Sequence, residues 1–164
     1  HVAPIEETML AIHKHATRER RPVATARYSR ILIVDDNVLN RKIARHMLEQ
    51  LGYQASCIFT ASNGVEAIAC ISAKMVDIIF MDCEMPIMGG EEATRRIRQQ
   101  WPEHQNRPYI IGATASATEQ AQRACFASGM NAFLSKPLRF DTLGAAFDLA
   151  VLSLPPALSP AHQL

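Results

Sequence analysis

The sequence lacks several of the features from which a function is commonly read. It contains no apolar run near the ~18 residues that a membrane helix needs, and its N-terminus does not resemble a signal peptide. Its formal net charge of +1 at pH 7 leaves no broad basic surface for nucleic acid. Neither a Gly-x-x-x-x-Gly-Lys loop nor a dinucleotide fingerprint is present. Contacts with a membrane, with nucleic acid or with a nucleotide are therefore not indicated.

The four cysteines form no Cys-x-x-Cys pair, which argues against a zinc ribbon and against a thioredoxin-like dithiol. Cys57, Cys70 and Cys125 have apolar neighbours and are predicted to be buried thiols. Cys83 has no nearby group in the sequence that would stabilise a thiolate, so redox control is not favoured there. Free thiols fit a reducing, cytoplasmic compartment.

The 164 residues have an ordinary globular composition, with 48% hydrophobic and 20% charged residues, and they suffice for one domain. Residues 1–29 are predicted to be a flexible linker, because a basic stretch and Pro22 interrupt the helical pattern there. Residues 155–164 are rich in proline and are predicted to be a disordered tail. The folded domain is expected at 30–154. The chain begins with His1 and not with Met, which favours a fragment of a longer protein.

Between these flanks, strand and helix patterns alternate five times. Short, unbroken apolar runs such as that at 31–34 are typical of strands covered on both faces. Strands are predicted at 30–34, 54–60, 76–81, 109–113 and 131–135, and helices at 38–51, 65–72, 91–100, 117–128 and 140–154. Such β-α units with short turns predict an α/β protein. Its expected form is a flavodoxin-like, doubly wound, five-stranded parallel sheet of order 2-1-3-4-5 with five helices, a three-layer sandwich.

Polar side chains collect where the predicted strands end. Asp35 and Asp36 follow the first strand, Asp82 the third, Thr114 the fourth and Lys136 the fifth. Ligands of such sheets bind beyond the carboxyl ends of the strands, so these residues are expected to meet there. Neighbouring carboxylates repel one another unless a cation joins them, and oxygen donors without His or Cys indicate Mg2+ or Mn2+ rather than zinc. With an ammonium and a hydroxyl added, the set indicates phosphoryl chemistry.

Each of these residues also has a purely structural interpretation. The paired acids could cap the following helix, Asp82 could be a loop acid, Thr114 an ordinary strand threonine and Lys136 a solvated charge. The Lys136-Pro137 pair is more specific, because a cis bond at Pro137 could aim the amine inward. The constellation, and no single member of it, supports the phosphoryl interpretation.

Four segments of the sequence resemble the receiver domain of response regulators in two-component signalling. The resemblance runs from Arg30 to about Leu154 and depends on all four segments in their order. They are Ile33-Val34-Asp35-Asp36-Asn37, the stretch from Phe80 to Gly90, Ala113-Thr114-Ala115 and Leu134-Ser135-Lys136-Pro137.

The resemblance implies that Asp82 accepts a phosphoryl group from a phosphohistidine of a histidine kinase or a histidine phosphotransfer protein. It also implies Mg2+, with Mn2+ as a substitute, held directly by Asp36 and Asp82, mainly through water by Asp35, and by the backbone carbonyl of Glu84. Lys136 would pair with the phosphoryl group. The chain would then be a signalling domain with self-catalysed phosphorylation and autodephosphorylation, and not an enzyme that turns over a separate substrate.

The resemblance further implies a conformational switch. Thr114 would move toward the phosphoryl group, and Phe133 would fill the space behind it. This would alter the face formed by helix four, strand five and helix five, which by analogy with the family is also the expected surface for a homodimer. Glu84 and Ser116 stand where residues of the family tune the hydrolysis of the phosphate.

Some features depart from the family pattern, and some alternatives stay open. Residues 56–60 lengthen the segment before Asn63-Gly64, and Gly89-Gly90 replaces the more frequent Asp-Gly. The expected parent is a hybrid histidine kinase with this chain as its C-terminal receiver; a stand-alone receiver is the other choice. Two other functions are alternatives. One is a pseudo-receiver that binds partners without phosphorylation, and the other is a haloacid-dehalogenase-type phosphatase, which needs Asp-x-Asp after the first strand.

Overall fold

Five parallel strands form one sheet in the computed structural model, which describes residues 28–102 and 107–155. The strands are β1 (Ile31–Val34), β2 (Ile58–Ala61), β3 (Ile78–Asp82), β4 (Tyr109–Thr114) and β5 (Ala132–Ser135). Their order in the sheet is β2-β1-β3-β4-β5, as predicted. β1 and β3 are buried along their whole length, which accounts for their unbroken apolar sequences. The predicted linker and tail fall almost entirely outside the described residues.

Five helices of the described ranges connect the strands: α1 (Val38–Gln50), α2 (Gly64–Ala73), α3 (Gly90–Gln100), α4 (Glu119–Ser128) and α5 (Phe140–Ser153). The side chain of Asn37 accepts hydrogen bonds from two backbone amides of α1, and Asn63 and Thr118 cap α2 and α4. α4 ends at Gly129, whose φ of 107° lies in the left-handed region. Within the described ranges, no helix has the length and apolar character of a membrane span.

Two hydrophobic cores flank the sheet, because successive residues of a strand point to opposite faces. Ile31 and Ile33 of β1 belong to the core shared with α1 and α5, whereas Leu32 belongs to the core shared with α2, α3 and α4. Phe147 of α5 is fully buried in the first core, where its ring packs edge-on against Tyr53 with 5.6 Å between the ring centroids. The architecture is the predicted three-layer sandwich.

The second strand is shorter than the prediction of 54–60. Ala55–Cys57 form a short 3-10 helix, and pairing with β1 starts only at Ile58. The guanidinium group of Arg45 on α1 donates hydrogen bonds to the carbonyls of Ala55 and Ile58, and these bonds stabilise the turn. Of the residues 56–60 noted in the sequence, 56 and 57 therefore lie in this turn, and 58–60 lie in the strand.

Two further predictions need correction. Of the three cysteines predicted to be buried, only Cys125 is; Cys57 and Cys70 are half-buried. Cys57 lies in the 3-10 turn before an edge strand, where apolar neighbours in sequence do not enclose it. Asp82 and Thr114 are the last residues of β3 and β4 rather than the first residues after them, so both are held by strand pairing.

The loop after β3 holds a β-branched residue in a strained conformation. Ile87 has a φ of 69° and is 83% exposed, although the left-handed region costs an L-residue about 1–2 kcal/mol. Ile87→Gly is therefore expected to raise the free energy of unfolding by about 0.5–1 kcal/mol, since the flexibility of unfolded glycine offsets part of the gain. Urea unfolding measures the change. Ile87→Val keeps the strain and is the matched control; an equal gain in that variant would contradict the explanation.

Candidate functional site

Three carboxylates meet at the carboxyl edge of the sheet. Asp35 and Asp36 follow β1 and Asp82 ends β3, and one oxygen from each lies within 4.8 Å of the others. Asp35 and Asp82 are buried, whereas Asp36 is exposed. The backbone amide of Asn37 and the side-chain amide of Asn40 donate hydrogen bonds to Asp35 and fix its orientation. The structure thus brings together the acids that the sequence placed at two strand ends.

The segment after β5 carries a cation to the same place. The ammonium of Lys136 lies 3.0 Å from Asp82 Oδ1 and 3.2 Å from Asp35 Oδ2. The backbone amide of Lys136 donates a hydrogen bond of 2.8 Å to the carbonyl of Thr114. The Lys136–Pro137 peptide bond is cis, the isomer that the sequence suggested. One ammonium therefore bridges acids that come from two different strands.

The charges of this cluster are not balanced. Burial raises the pKa of Asp82, and the charge of Asp35 adds to this, although the hydrogen bond and charge of Lys136 act in the opposite direction. Burial alone would lower the pKa of Lys136, but its hydrogen bonds and attraction to Asp82 and Asp35 outweigh it, so the pKa is raised. A raised pKa of both partners is consistent. The lysine is less buried than Asp82 and has two carboxylates near it, whereas Asp82 has only one ammonium to offset its burial and the charge of Asp35. The cluster is short of positive charge.

The donor set fits a hard divalent cation. Its ligand atoms are carboxylate oxygens, and neither imidazole nor thiol joins the cluster as far as the described residues extend. Because Asp36 is exposed, the cluster is open to an ion that keeps several of its waters, which is how Mg2+ is usually bound. The surplus of negative charge is the electrostatic reason why such an ion would be favoured.

The side chain of Thr114 is hydrogen-bonded to that of Glu84. It is 2% exposed, and its hydroxyl donates a hydrogen bond of 3.0 Å to Glu84 Oε1. The backbone amide of Ala115 donates a longer one, of 3.4 Å, to Glu84 Oε2. The sequence predicted a role for the backbone carbonyl of Glu84 but missed this contact of its side chain. The sequence does place an acid two positions after Asp82, at the same edge as Thr114, but it carries no signal for the direction of that side chain.

Phe133 is buried on β5, and its ring packs edge-on against Phe126 of α4, with 6.1 Å between the ring centroids. Phe126 is partly exposed, so the pair connects the core with the surface of α4. The contact is equally compatible with a fixed core residue and with a switch residue that moves toward Thr114. The role of Phe133 in a switch therefore stays a prediction.

A pair of thiols lies at the carboxyl end of β3. Cys83 follows Asp82, and its Sγ is 3.4 Å from Sγ of Cys125 on α4. The hydrogen bond to Cys125 and burial raise the pKa of Cys83, which keeps that thiol protonated. The sequence did not indicate this pair, because 42 positions separate the two residues and no short spacing motif joins them.

An apolar surface on α1 adjoins the carboxylates. Val38, Leu39 and Ile43 are between 41% and 59% exposed, and α1 begins directly after the cap residue that follows Asp36. An open cleft of about 510 Å³ borders this surface, lined by Lys42, Ile43, His46, Met47, Gln50 and Phe140. Apolar side chains grouped in this way are typical of a surface that contacts another protein.

Comparisons with known proteins agree with this geometry. A protein-family model described as the response regulator receiver domain matches residues 31–148. Hybrid signal transduction histidine kinase H of Dictyostelium discoideum is 40% identical over 124 residues, which are 75% of this chain and 9% of that protein. The chain thus spans about a tenth of the length of the curated relatives that it matches.

Solved structures show the same likeness. The co-crystal structure of the Saccharomyces cerevisiae phosphotransfer protein Ypd1 with the receiver domain of Ssk1 matches with a TM-score of 0.62 and 30% identity, over 69% of this chain and 81% of that one. The receiver domain of the sensor histidine kinase PA1611 from Pseudomonas aeruginosa PAO1 matches with a TM-score of 0.64 and 32% identity, over 74% and 95% of the two chains. That structure has a magnesium ion coordinated in its active-site cleft.

Proposed function

Because the chain belongs to the response regulator receiver domain family, we propose that it accepts a phosphoryl group on Asp82 within a His-Asp phosphorelay. The observation that carries the proposal is the cluster of Asp35, Asp36 and Asp82 with the Lys136 ammonium 3.0 Å from Asp82 Oδ1. One carboxylate oxygen of Asp82 attacks the phosphorus of a phosphohistidine as the phosphorus–nitrogen bond of the donor breaks. Positioning and neutralisation of charge account for most of the rate.

The acids of the cluster hold the metal ion in this proposal. Asp36 and Asp82 would hold Mg2+ or Mn2+ directly, Asp35 would hold it mainly through water, and the backbone carbonyl of Glu84 would complete the protein ligands. The ion supplies positive charge next to the phosphoryl oxygens. Lys136 supplies a second positive charge, and its contacts with Asp82 and Asp35 keep the ammonium at the acceptor. The need for a counter-charge in this cluster supports the assignment.

Phosphorylation then acts as a switch. It adds about −1.5 to −2 charge at Asp82, next to Lys136 and near Thr114. Thr114 turns its hydroxyl to the phosphoryl group, and Phe133 moves into the space behind it. The contact of Phe133 with Phe126 transmits this movement to α4, so the face formed by α4, β5 and α5 changes. A homodimer through that face belongs to the proposal.

The direct partner is a histidine kinase or a histidine phosphotransfer protein. It must bring its phosphohistidine to Asp82, so its contact surface must adjoin the acid cluster. The exposed apolar residues Val38, Leu39 and Ile43 of α1 meet this requirement. The complex of the yeast receiver with Ypd1 supports a phosphotransfer protein as a partner of this kind of domain.

The parent protein in this proposal is a hybrid sensor histidine kinase, with the described domain as its receiver in the cytoplasm. The hybrid kinases among the relatives support this assignment. The chain itself is a signalling domain that phosphorylates and dephosphorylates its own aspartate. A haloacid-dehalogenase-type phosphatase is less well supported, since Asp35 and Asp36 are adjacent and do not have the Asp-x-Asp spacing that its general acid needs.

Incubation with Mg2+ and acetyl phosphate tests the proposed function. The mass of the chain is expected to increase by one phosphoryl group, and chelation of divalent ions with EDTA is expected to prevent this, because three carboxylates would then repel the donor's phosphate. Intact-protein mass spectrometry measures both results. An unchanged mass together with no spectral response to beryllofluoride would favour the pseudo-receiver. Steady turnover of a generic phosphomonoester would favour the phosphatase.

A further inference from the structure

The carboxylate of Glu84 already occupies the Thr114 hydroxyl, which the proposed function assigns to the phosphoryl group, and also the neighbouring backbone amide. Its two oxygens accept hydrogen bonds from the hydroxyl of Thr114 and from the backbone amide of Ala115. A phosphoryl oxygen is the same kind of acceptor, with at least as much negative charge. Lys136 is engaged in the same way by Asp82 and Asp35. Thr114 and Lys136, the two groups proposed to bind the phosphoryl group, are therefore each paired with an acid of this chain before phosphorylation.

We propose that Glu84 is a positioning residue that holds Thr114 and Ala115 in place of the phosphoryl group, and that it must release them before a phosphoryl group can bind. This inference rests on the proposed function of Asp82. It goes further, because it assigns to the side chain of Glu84 a competition with the phosphoryl group for the hydroxyl of Thr114. Glu84 thereby sets how readily the resting protein accepts the group.

The hydroxyl of Thr114 cannot donate to Glu84 and to a phosphoryl oxygen at the same time. A threonine hydroxyl has one proton to donate, and that of Thr114 is donated to Glu84 Oε1. The hydroxyl oxygen in turn accepts from the backbone amide of Ser116 at 3.1 Å. Since Thr114 is 2% exposed, water has little access to its side chain. Glu84 is exposed, so its carboxylate can swing into solvent when a stronger acceptor arrives.

Beryllofluoride binding in the presence of Mg2+ measures the competition. Loss of one hydrogen bond corresponds to about 0.5–1.5 kcal/mol, so Glu84→Ala is expected to bind beryllofluoride about two- to tenfold more tightly than the wild type. Glu84→Asp keeps the charge but is one methylene too short to reach Thr114, and it is expected to behave like Glu84→Ala. Glu84→Gln keeps a weaker acceptor and is expected to lie between the wild type and Glu84→Ala.

A pure charge effect would give a different order of affinities. In that case Glu84→Asp would match the wild type, and Glu84→Gln would match Glu84→Ala, which would overturn the proposal. Glu91→Gln is the matched control, because Glu91 is close enough to raise the pKa of Cys83 but lies outside the Thr114 contact. No change in affinity is expected for that control, and a gain equal to that of Glu84→Ala would likewise count against the proposal.

A second measurement does not depend on phosphorylation. In NMR spectra of the metal-free protein, the amide proton of Ala115 is expected to shift upfield in Glu84→Ala and in Glu84→Asp, because its charged acceptor is lost. An unchanged shift in both variants would overturn the proposal even where beryllofluoride binds. If beryllofluoride binds to none of the proteins, wild type included, the proposed function of Asp82 fails, while the Ala115 shift still decides whether Glu84 holds these donors.

Discussion

Asp82→Asn is expected to abolish phosphorylation, both by acetyl phosphate and by a phosphorylated histidine phosphotransfer protein. Asparagine has nearly the same shape as aspartate but no anionic oxygen that could attack phosphorus. The residue ends β3 and is 2% exposed, and because asparagine fills the same space the variant is expected to fold. Intact-protein mass spectrometry measures phosphoryl incorporation, and circular dichroism checks the fold. The control is Asp148→Asn, at an exposed acid of α5, which is expected to retain full incorporation. Incorporation that persists in Asp82→Asn would point to another acceptor.

The same variant is expected to change how stability depends on pH. Burial raises the pKa of Asp82, so the folded protein binds a proton at this group more tightly than the unfolded chain does. Without divalent ions, the wild type is expected to lose stability as the pH rises from the ordinary aspartate pKa through the raised one. Asp82→Asn is expected not to lose stability in this way, because asparagine does not titrate. Urea unfolding of both proteins across that window measures the difference, and a larger loss in the variant would contradict the assigned direction.

Gly90→Ala is expected to lower the free energy of unfolding by about 1–3 kcal/mol, the range for overpacking, and to slow phosphorylation of Asp82. A Cβ at position 90 would lie 2.2 Å from the backbone oxygen of Asp82 and 2.9 Å from Cγ of Met81. A backbone oxygen cannot turn aside, so either the start of α3 or the end of β3 has to shift. A shift of β3 moves the acceptor relative to Lys136. Urea unfolding and the rate of phosphorylation by acetyl phosphate measure the two effects.

Gly144→Ala is the matched control for this prediction. The glycine lies inside α5, where alanine is favoured by about 0.5–1 kcal/mol, and a Cβ there would meet the flexible end of Leu51 at 3.2 Å. The variant is expected to be at least as stable as the wild type and to be phosphorylated at the same rate. If both alanine variants lost the same stability, the close approach of Gly90 to Asp82 would not be the cause.

The sheet and the acid cluster could be predicted because both follow from short-range patterns. An apolar run that ends in a charged residue, as at Asp35 and Asp82, identifies a buried strand and its carboxyl end together. In a parallel sheet all carboxyl ends lie at one edge, so Lys136 could be expected at the same edge as these acids, although its ion pairs also depend on its long side chain. The family model over 31–148 confirms the resemblance that these segments suggested.

The contacts that the sequence did not predict depend on side-chain conformation across long separations. Thr114 and Glu84 lie 30 positions apart, and no local pattern states whether an exposed glutamate points to solvent or to a neighbouring strand. The Cys83–Cys125 pair likewise depends on how α4 packs on the sheet. The boundary of β2 was wrong because Arg45, on a different element, stabilises the preceding turn. Tertiary contacts of this kind override local propensity.

The strand order places the proposed phosphoryl acceptor on a central strand and the proposed switch residue Phe133 on an edge strand. β3 pairs with β1 on one side and β4 on the other, so it cannot leave the sheet without breaking two ladders. Among the described strands, β5 pairs with β4 alone and can detach at the cost of one ladder. Local opening at this edge therefore leaves the carboxylates of β1 and β3 in register. When this edge loosens, the carboxylates keep their places at the centre of the sheet, whereas Lys136, which directly follows β5, moves with the strand and weakens its contacts with them.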